Sequence, residues 1–354
     1  MNPTRLHKSV PVISAVCLLA GVAPPRTLAG DPPVELGTIG WLRNFDRAVA
    51  EAKANQRPLL VLFDEVPGCG TCVNYGKKVL SHPLIVEAAE TLLVPVAVYN
   101  NIKGDDERLL KSFGEPAWNN PVIRIINPDK SPLIPRLADD YSIGALAKAM
   151  VKALHKTKAD VPRYLDLLAE ESAVKPSELE TATFAMHCFW EGEATLGKIP
   201  GVVHTRPGFL NQLEVVEVHF DPHTIAFGDL LKQARSQKCA DTVFARTEGQ
   251  QALASATLAR QAFRATEPIK IDKQPKYYLA QTPYRYLPMT ELQAGRVNAA
   301  LHFKADPDVN LSPRQLKLLE TIKTHPGAGW ETVIGTDDLP AAWKSVQNKA
   351  KGLN

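Results

Sequence analysis

The chain is sparing with sulfur, with aromatic rings and with net charge. Its 354 residues hold five cysteines and four methionines, and Phe, Trp and Tyr make up 7%. Five cysteines are too few to staple a chain of this length through disulfides, and a core of this size does not need them. Three of the 41 basic residues (Arg5, Lys8 and Arg26) and none of the 38 acidic ones fall in residues 1–30, so the remainder balances at zero. That balance leaves no basic field to steer nucleic acid, and no nucleic-acid partner is expected. There is no internal repeat and no low-complexity tract. What remains is an ordinary globular composition, 45% hydrophobic and 22% charged, long enough for about two domains.

Residues 1–30 differ from the rest. Arg5 and Lys8 precede a mostly apolar stretch over 10–23, and Thr27-Leu28-Ala29 offers small residues where a signal peptidase cuts. This order predicts a signal peptide over 1–30 and an exported chain, periplasmic or secreted. The apolar stretch is short for a membrane span and is broken by Pro11 and Gly21. No stable membrane insertion is therefore expected after cleavage; an uncleaved anchor is the alternative. Cys17 follows Val16, not the small residue of a lipoprotein site.

Beyond the leader four cysteines remain: Cys69, Cys72, Cys188 and Cys239. Cys69 and Cys72 lie in Val66-Pro67-Gly68-Cys69-Gly70-Thr71-Cys72, just after the continuous apolar run 58–63, which reads as a buried central strand. A helix is expected from the cysteines to Lys78, since a helix N-terminus favours thiolate. Cys69 is then the attacking thiol and Cys72 the resolver. Half a zinc site and a structural disulfide are the competing readings. No second CxxC and no close histidine pair accompanies the motif, so neither a metal nor another cofactor is expected. Helical spacing over 44–55, a helix over 83–90, a strand over 92–99, a strand over 122–126 behind Asn120-Pro121, and a helix over 142–155 complete the pattern. The arrangement resembles the thioredoxin fold, an α/β architecture, over 40–157. The resemblance implies a cis-proline, Pro121, facing the dithiol. The Val-Pro-Gly lead also resembles a thioredoxin-like group named for a VPGUxT motif, in which selenocysteine can replace the first cysteine; here that position is Cys69. The usual Trp before that cysteine is missing, and Gly68 stands there.

The polar, proline-bearing stretch 158–178 reads as a linker with one short helix. A second domain is expected over 179–300. Its strands are expected at 180–184, 202–209 and 214–220, the last with clear alternation. A lone cysteine beside two rings, as in Cys188-Phe189-Trp190, is more often core than site. The wider pattern is more specific: Phe184-Ala185, Cys188-Phe189-Trp190, Glu193, Ile199-Pro200-Gly201-Val202-Val203, Gly208-Phe209, Glu214-Val215-Val216 and Asp221-Pro222. It resembles the A-type peptide-methionine sulfoxide reductases, an α+β fold. The resemblance implies that Cys188 is the nucleophile and Glu214 the acid, a role a carboxyl fills near neutral pH only when burial raises its pKa. It also implies that Phe189 and Trp190 form the wall for the substrate methyl group.

Departures from that family are visible. Met186-His187 replaces Gly-Gly before the cysteine, and the segment before Glu214 is short, so one active-site tyrosine has no counterpart. Phe244 stands where a second tyrosine hydroxyl is expected, and Cys239 where an aspartate is. His187 either donates a hydrogen bond to substrate or only packs. Cys239 either resolves an oxidised Cys188, or is a buried thiol, or is a structural partner. The cluster Tyr277-Tyr278 and Tyr284-x-Tyr286 either lines the second site or packs ordinarily. Residues 301–354 are expected to form a C-terminal helical extension.

Together these features predict a thiol-dependent reductase of methionine sulfoxide in proteins, in peptides or free in solution. The Cys69–Cys72 dithiol would regenerate Cys188, with an upstream dithiol reductant as a further partner. The alternative is a thiol–disulfide oxidoreductase whose second domain binds clients without catalysis. A third is a non-enzymatic metal or sensor module built on the CxxC.

Overall fold

The computed structural model describes residues 32–335 and 338–353. The signal peptide expected over 1–30, with Cys17, lies outside the described residues. Among the described residues no helix is long and apolar enough to cross a membrane.

The first part is built from α1 (Phe45–Asn55), β1 (Leu59–Asp64), α2 (Gly70–Lys78), α3 (Pro83–Thr91), β2 (Val94–Tyr99), α4 (Asp105–Ser112), β3 (Val122–Ile126), α5 (Ile143–Lys156) and α6 (Arg163–Glu171). β1 is central, parallel to β2 and antiparallel to β3. Every residue of β1 is buried, as its continuous apolar run requires. Alternate side chains serve the two faces. Leu60, Leu62, Ile123 and Ile125 pack under α2, α3, α5 and α6, while Leu59, Val61 and Phe63 pack with Ala48 and Ala52 of α1 and Leu110 of α4. Asn44 caps α1 by accepting from the Arg47 N–H, and Ser142 caps α5 by accepting from the Ala145 N–H.

The stretch 158–178 is not an open tether. Its helix α6 buries Tyr164, Leu165, Leu167, Leu168 and Ala169, and most of these sit in the core under α3 and α5. Each large apolar side chain so buried contributes about 1.5–3 kcal/mol, enough to hold this helix on the first domain.

The second part carries a six-stranded sheet in the order β8-β7-β4-β6-β5-β9. Its elements are β4 (Glu180–Ala185), α7 (Phe189–Leu196), β5 (Val202–Leu210), β6 (Leu213–Phe220), α8 (Phe227–Ser236), β7 (Thr242–Ala245), α9 (Glu248–Leu258), β8 (Ala262–Arg264) and β9 (Lys270–Ile271). All neighbouring strands run antiparallel except β7 and β8. Ala182, Phe184, Val216, Val218 and Phe220 form the apolar face, covered by side chains of α7, α8 and α9.

α10 (Tyr277–Ala280), α11 (Glu291–His302), α12 (Pro313–Thr324) and α13 (Leu339–Lys351) follow. Capping boxes at Thr290/Gln293 and Ser312/Gln315 start α11 and α12. One apolar cluster runs from Leu279 to Ala350, so the boundary expected at 300 cuts through a single packed unit. This unit ties the two parts together. Arg296 of α11 pairs with Glu170 of α6 at 2.9 Å. Glu171 accepts from the Glu291 and Leu292 N–H groups at the start of α11 (3.2 and 3.3 Å), and Arg314 of α12 reaches Glu87 and Glu90 of α3.

Candidate active sites

The dithiol sits at the start of α2. Cys69 is the N-cap residue of that helix and is exposed, while Cys72, one turn on, is buried. Their sulfurs are 3.3 Å apart. Hydrogen bonding from the Cys72 backbone, with the Cys72 thiol adding to it, holds Cys69 below the usual thiol range. Burial pushes Cys72 the other way. The pair is thus split into an exposed thiol held toward its thiolate and a buried thiol held toward its protonated form, a division that suits dithiol exchange. The Cys72 thiol donates to Asn120 Oδ1 at 2.8 Å, and the Asn120–Pro121 bond is cis, with Pro121 buried.

Asp64, the last residue of β1, is wholly buried next to Cys72. Its Oδ1 accepts from the Glu65 N–H at 2.9 Å. Burial pushes this carboxyl up to about 7, against a smaller opposing pull from the Cys72 thiol. Reading the sequence did not single out Asp64; the signal was an acid closing an otherwise apolar strand. Gly68 also has its explanation here. A Cβ at that position would lie 2.2 Å from the Glu65 carbonyl oxygen and 2.8 Å from Cys72 Cβ, so the bend into the motif admits no side chain.

The second site is at the start of α7. Cys188 is the half-buried N-cap residue of that helix, and its carbonyl accepts from the Gly192 N–H at 3.0 Å. Glu214, near the start of β6, turns its carboxylate onto the same helix end, where Oε2 accepts from the Phe189 N–H at 2.9 Å. The positive end of the helix dipole lies at this point. Met186 is buried and fills the place next to Gly192, where a Cβ would come within 1.7 Å of its sulfur. His187 is exposed at the rim.

Rings line the mouth. Phe189 packs on Trp190 (5.6 Å between centroids) and on Phe209 (5.2 Å). Tyr277 stacks on Trp190 at 4.0 Å with planes 11° apart. Tyr278 meets Tyr277 edge-on at 5.5 Å. Burial pushes the Tyr278 phenol up, and the nearby charges of Glu191 and Cys188 push the same way, so it stays a donor. Of the tyrosine cluster, Tyr277 and Tyr278 thus line the site, whereas Tyr284 and Tyr286 belong to the C-terminal apolar cluster.

A buried ion pair fixes this arrangement. Glu193, one turn beyond Trp190, accepts from both the backbone N–H (2.7 Å) and the ammonium (2.8 Å) of Lys276, the residue before Tyr277. Both side chains are almost wholly buried. Cys239 is also buried; its thiol donates to the Gln237 carbonyl at 3.4 Å, and burial pushes it up against a smaller opposing pull from the neighbouring Thr195 hydroxyl. Thr195 lies about 10 Å along α7 from Cys188 at 1.5 Å per residue. The structure therefore brings Cys188, Glu214, Phe189 and Trp190 together and sets Cys239 against the far half of the same helix. Phe244 is buried against Phe263.

Comparisons with known proteins find two kinds of likeness. The thioredoxin-like family matches residues 40–128. A peptide methionine sulfoxide reductase A2-2 of Oryza sativa subsp. japonica is 35% identical over 83 residues, covering 19% of this chain and 44% of the relative. The enzyme MsrA of Methanothermobacter thermautotrophicus is 38% identical over 72 residues, covering 16% of this chain and 43% of the relative. The chain thus spans less than half the length of these curated relatives. A solved structure described as a DsbH oxidoreductase aligns over 38% of this chain and 94% of its own at 17% identity; its TM-score of 0.29 is too low to bear on the fold. The chain joins a thioredoxin-like domain to a part similar to peptide methionine sulfoxide reductases of the MsrA type.

Proposed function

We propose that the protein reduces methionine sulfoxide, in proteins, in peptides or free, with Cys188 as nucleophile and the Cys69–Cys72 dithiol as its reductant. The observation that carries this reading is the meeting of Cys188 and the Glu214 carboxylate at one helix N-terminus. The Cys188 thiolate attacks the sulfoxide sulfur. Glu214 in its acid form gives a proton to the oxygen, and the S–O bond breaks to release hydroxide and leave Cys188 bonded to the sulfide sulfur as a sulfonium. The hydroxide then adds to the Cys188 sulfur as that S–S bond breaks, so the sulfide leaves and Cys188 becomes a sulfenic acid. Cys69 then attacks that sulfur and water departs. Cys72 attacks Cys69, which frees Cys188 and leaves a Cys69–Cys72 disulfide for an upstream dithiol to reduce.

For the hydroxyls missing before Glu214 and at Phe244 we assign Tyr278 as substitute, on the ring it packs against Tyr277 and on the upward push that the Cys188 charge adds to burial of its phenol. The stack of Tyr277 on Trp190 supports an apolar wall for the substrate methyl group. Cys239, buried against Thr195, serves as resolver only after local opening of this helix face. The order of charges and apolar residues in 1–30 supports an exported site of action.

The buried Phe244 favours a second reading, in which the second part binds clients and only the dithiol reacts. Dithiol-driven reduction of a methionine sulfoxide peptide separates the two. The first reading requires that Cys188→Ser abolish it while insulin reduction through Cys69 persists. Full peptide reduction by Cys188→Ser defeats it.

A further inference from the structure

The CxxC by itself offers two sulfur donors, and the fold adds a third donor. Glu65 follows β1, and its carboxylate, Cys69 Sγ and Cys72 Sγ all lie within 4.8 Å of one another. The loop that carries Glu65 back over the dithiol is anchored at several points. Asn101 exchanges hydrogen bonds with both backbone groups of Val66 (3.3 and 3.1 Å), and Glu35 accepts from the Gly68 N–H at 2.8 Å. The Glu65 carboxylate makes no hydrogen bond or ion pair of its own among the described residues, and it is half-buried. Its free oxygen donors therefore face the sulfurs.

We propose that in the reduced protein Cys69, Cys72 and Glu65 bind one divalent cation of the zinc class, and that this cation locks the dithiol against oxidation. Two thiolates and one carboxylate suit this borderline-soft ion, at bonds of about 2.3 Å to sulfur and 2.0–2.2 Å to oxygen. Tetrahedral bonds of that length set the sulfurs about 3.8 Å apart, so the present 3.3 Å opens by about half an ångström on binding. Cys69 is exposed, which leaves the fourth position to water and makes the ion exchangeable. Binding displaces up to two thiol protons and moves no electrons. Because both sulfurs are engaged, bound metal and the Cys69–Cys72 disulfide exclude each other. The proposal rests on the dithiol alone and is independent of residue 188.

The test uses the reduced full chain, titrated with zinc chloride against a chromophoric chelator, and with cobalt(II) as a spectroscopic probe. One equivalent should bind, with a near-ultraviolet thiolate-to-cobalt band. Zinc should block insulin reduction, and a chelator should restore it. The oxidised protein, Cys69→Ser and Cys72→Ser should lose the site, Glu65→Gln should weaken it at least tenfold, and Cys188→Ser should bind as the parent does. Equal affinity in Glu65→Gln, absence of the thiolate band, or one equivalent still bound by Cys69→Ser overturns the assignment. A failure of Cys188→Ser to lose sulfoxide reduction would bear on the catalytic reading and leave this one standing.

Discussion

The Glu214 carboxylate accepts a hydrogen bond from the Phe189 N–H at 2.9 Å, the first amide of the helix that Cys188 caps. One carboxylate and one sulfur, 26 residues apart in sequence, therefore share a helix end. The link passes through backbone, so the carboxylate's position survives changes in the rings around it.

Replacing the proton donor while keeping the acceptor tests this relationship. Glu214→Gln retains an oxygen for the Phe189 N–H but carries no transferable proton. We expect kcat for methionine sulfoxide reduction to fall by about 10²–10³, with the unfolding midpoint in denaturant unchanged. A loss under twofold means that the proton comes from elsewhere.

The two tyrosines should separate in their effects. Tyr278→Phe removes a phenol that feels the Cys188 charge and, if that phenol donates to the substrate oxygen, should lower kcat by about 10- to 100-fold with little change in KM. Tyr277→Ala removes the stack on Trp190, worth about 0.5–1.5 kcal/mol, and should raise KM several-fold. Steady-state kinetics on one peptide substrate distinguishes these outcomes from general loss of the fold.

Asp64 makes a prediction about pH. Its folded pKa, about 7, lies above the ordinary 3.8, so between those values the folded chain holds a proton that the unfolded chain has lost. Stability should therefore fall as pH rises from about 4 to 7. Asp64→Asn removes this penalty. It should be more stable than the parent at pH 8, by on the order of 2–4 kcal/mol, and nearly equal at pH 4. Its insulin reduction should be slower at neutral pH, because the group placed to take the Cys72 proton is gone. Urea unfolding at the two pH values measures the first effect.

The buried pair Glu193–Lys276 should behave asymmetrically. Glu193→Gln leaves a buried ammonium without its counter-charge and should cost about 3–5 kcal/mol. The double change Glu193→Leu with Lys276→Met should recover most of that stability. It should still raise KM, since the strap that holds Tyr277 against Trp190 is weakened. Recovery of stability and KM together would show that the pair plays no positioning role.

Much of this was legible in advance, for local reasons. A continuous apolar run such as 59–63 has one good use, a strand buried on both faces, and a CxxC behind it falls at the next helix start. The Cys188-Phe189-Trp190 block with Glu214 was legible because its partners lie on adjacent strands and a short helix. The short helix expected within 158–178 is α6, and what the polar flanks hid is that it buries Tyr164, Leu165 and Leu168. The packing across residue 300 was hidden for a related reason. No break in composition marks a cluster joining Leu279 to Ala350 across four helices.

Residue identity and spacing alone marked Cys69 and Cys72 as a candidate dithiol and laid out the strands around it, because helix caps, buried strands and the alternation of β6 depend on neighbours close in the chain. The stack of Tyr277 on Trp190, the strap from Lys276 to Glu193, and the approach of Glu65 to both sulfurs of the dithiol depend instead on where loops return after long excursions. Tertiary packing decided these, since only burial against the rest of the fold fixes the return of a loop.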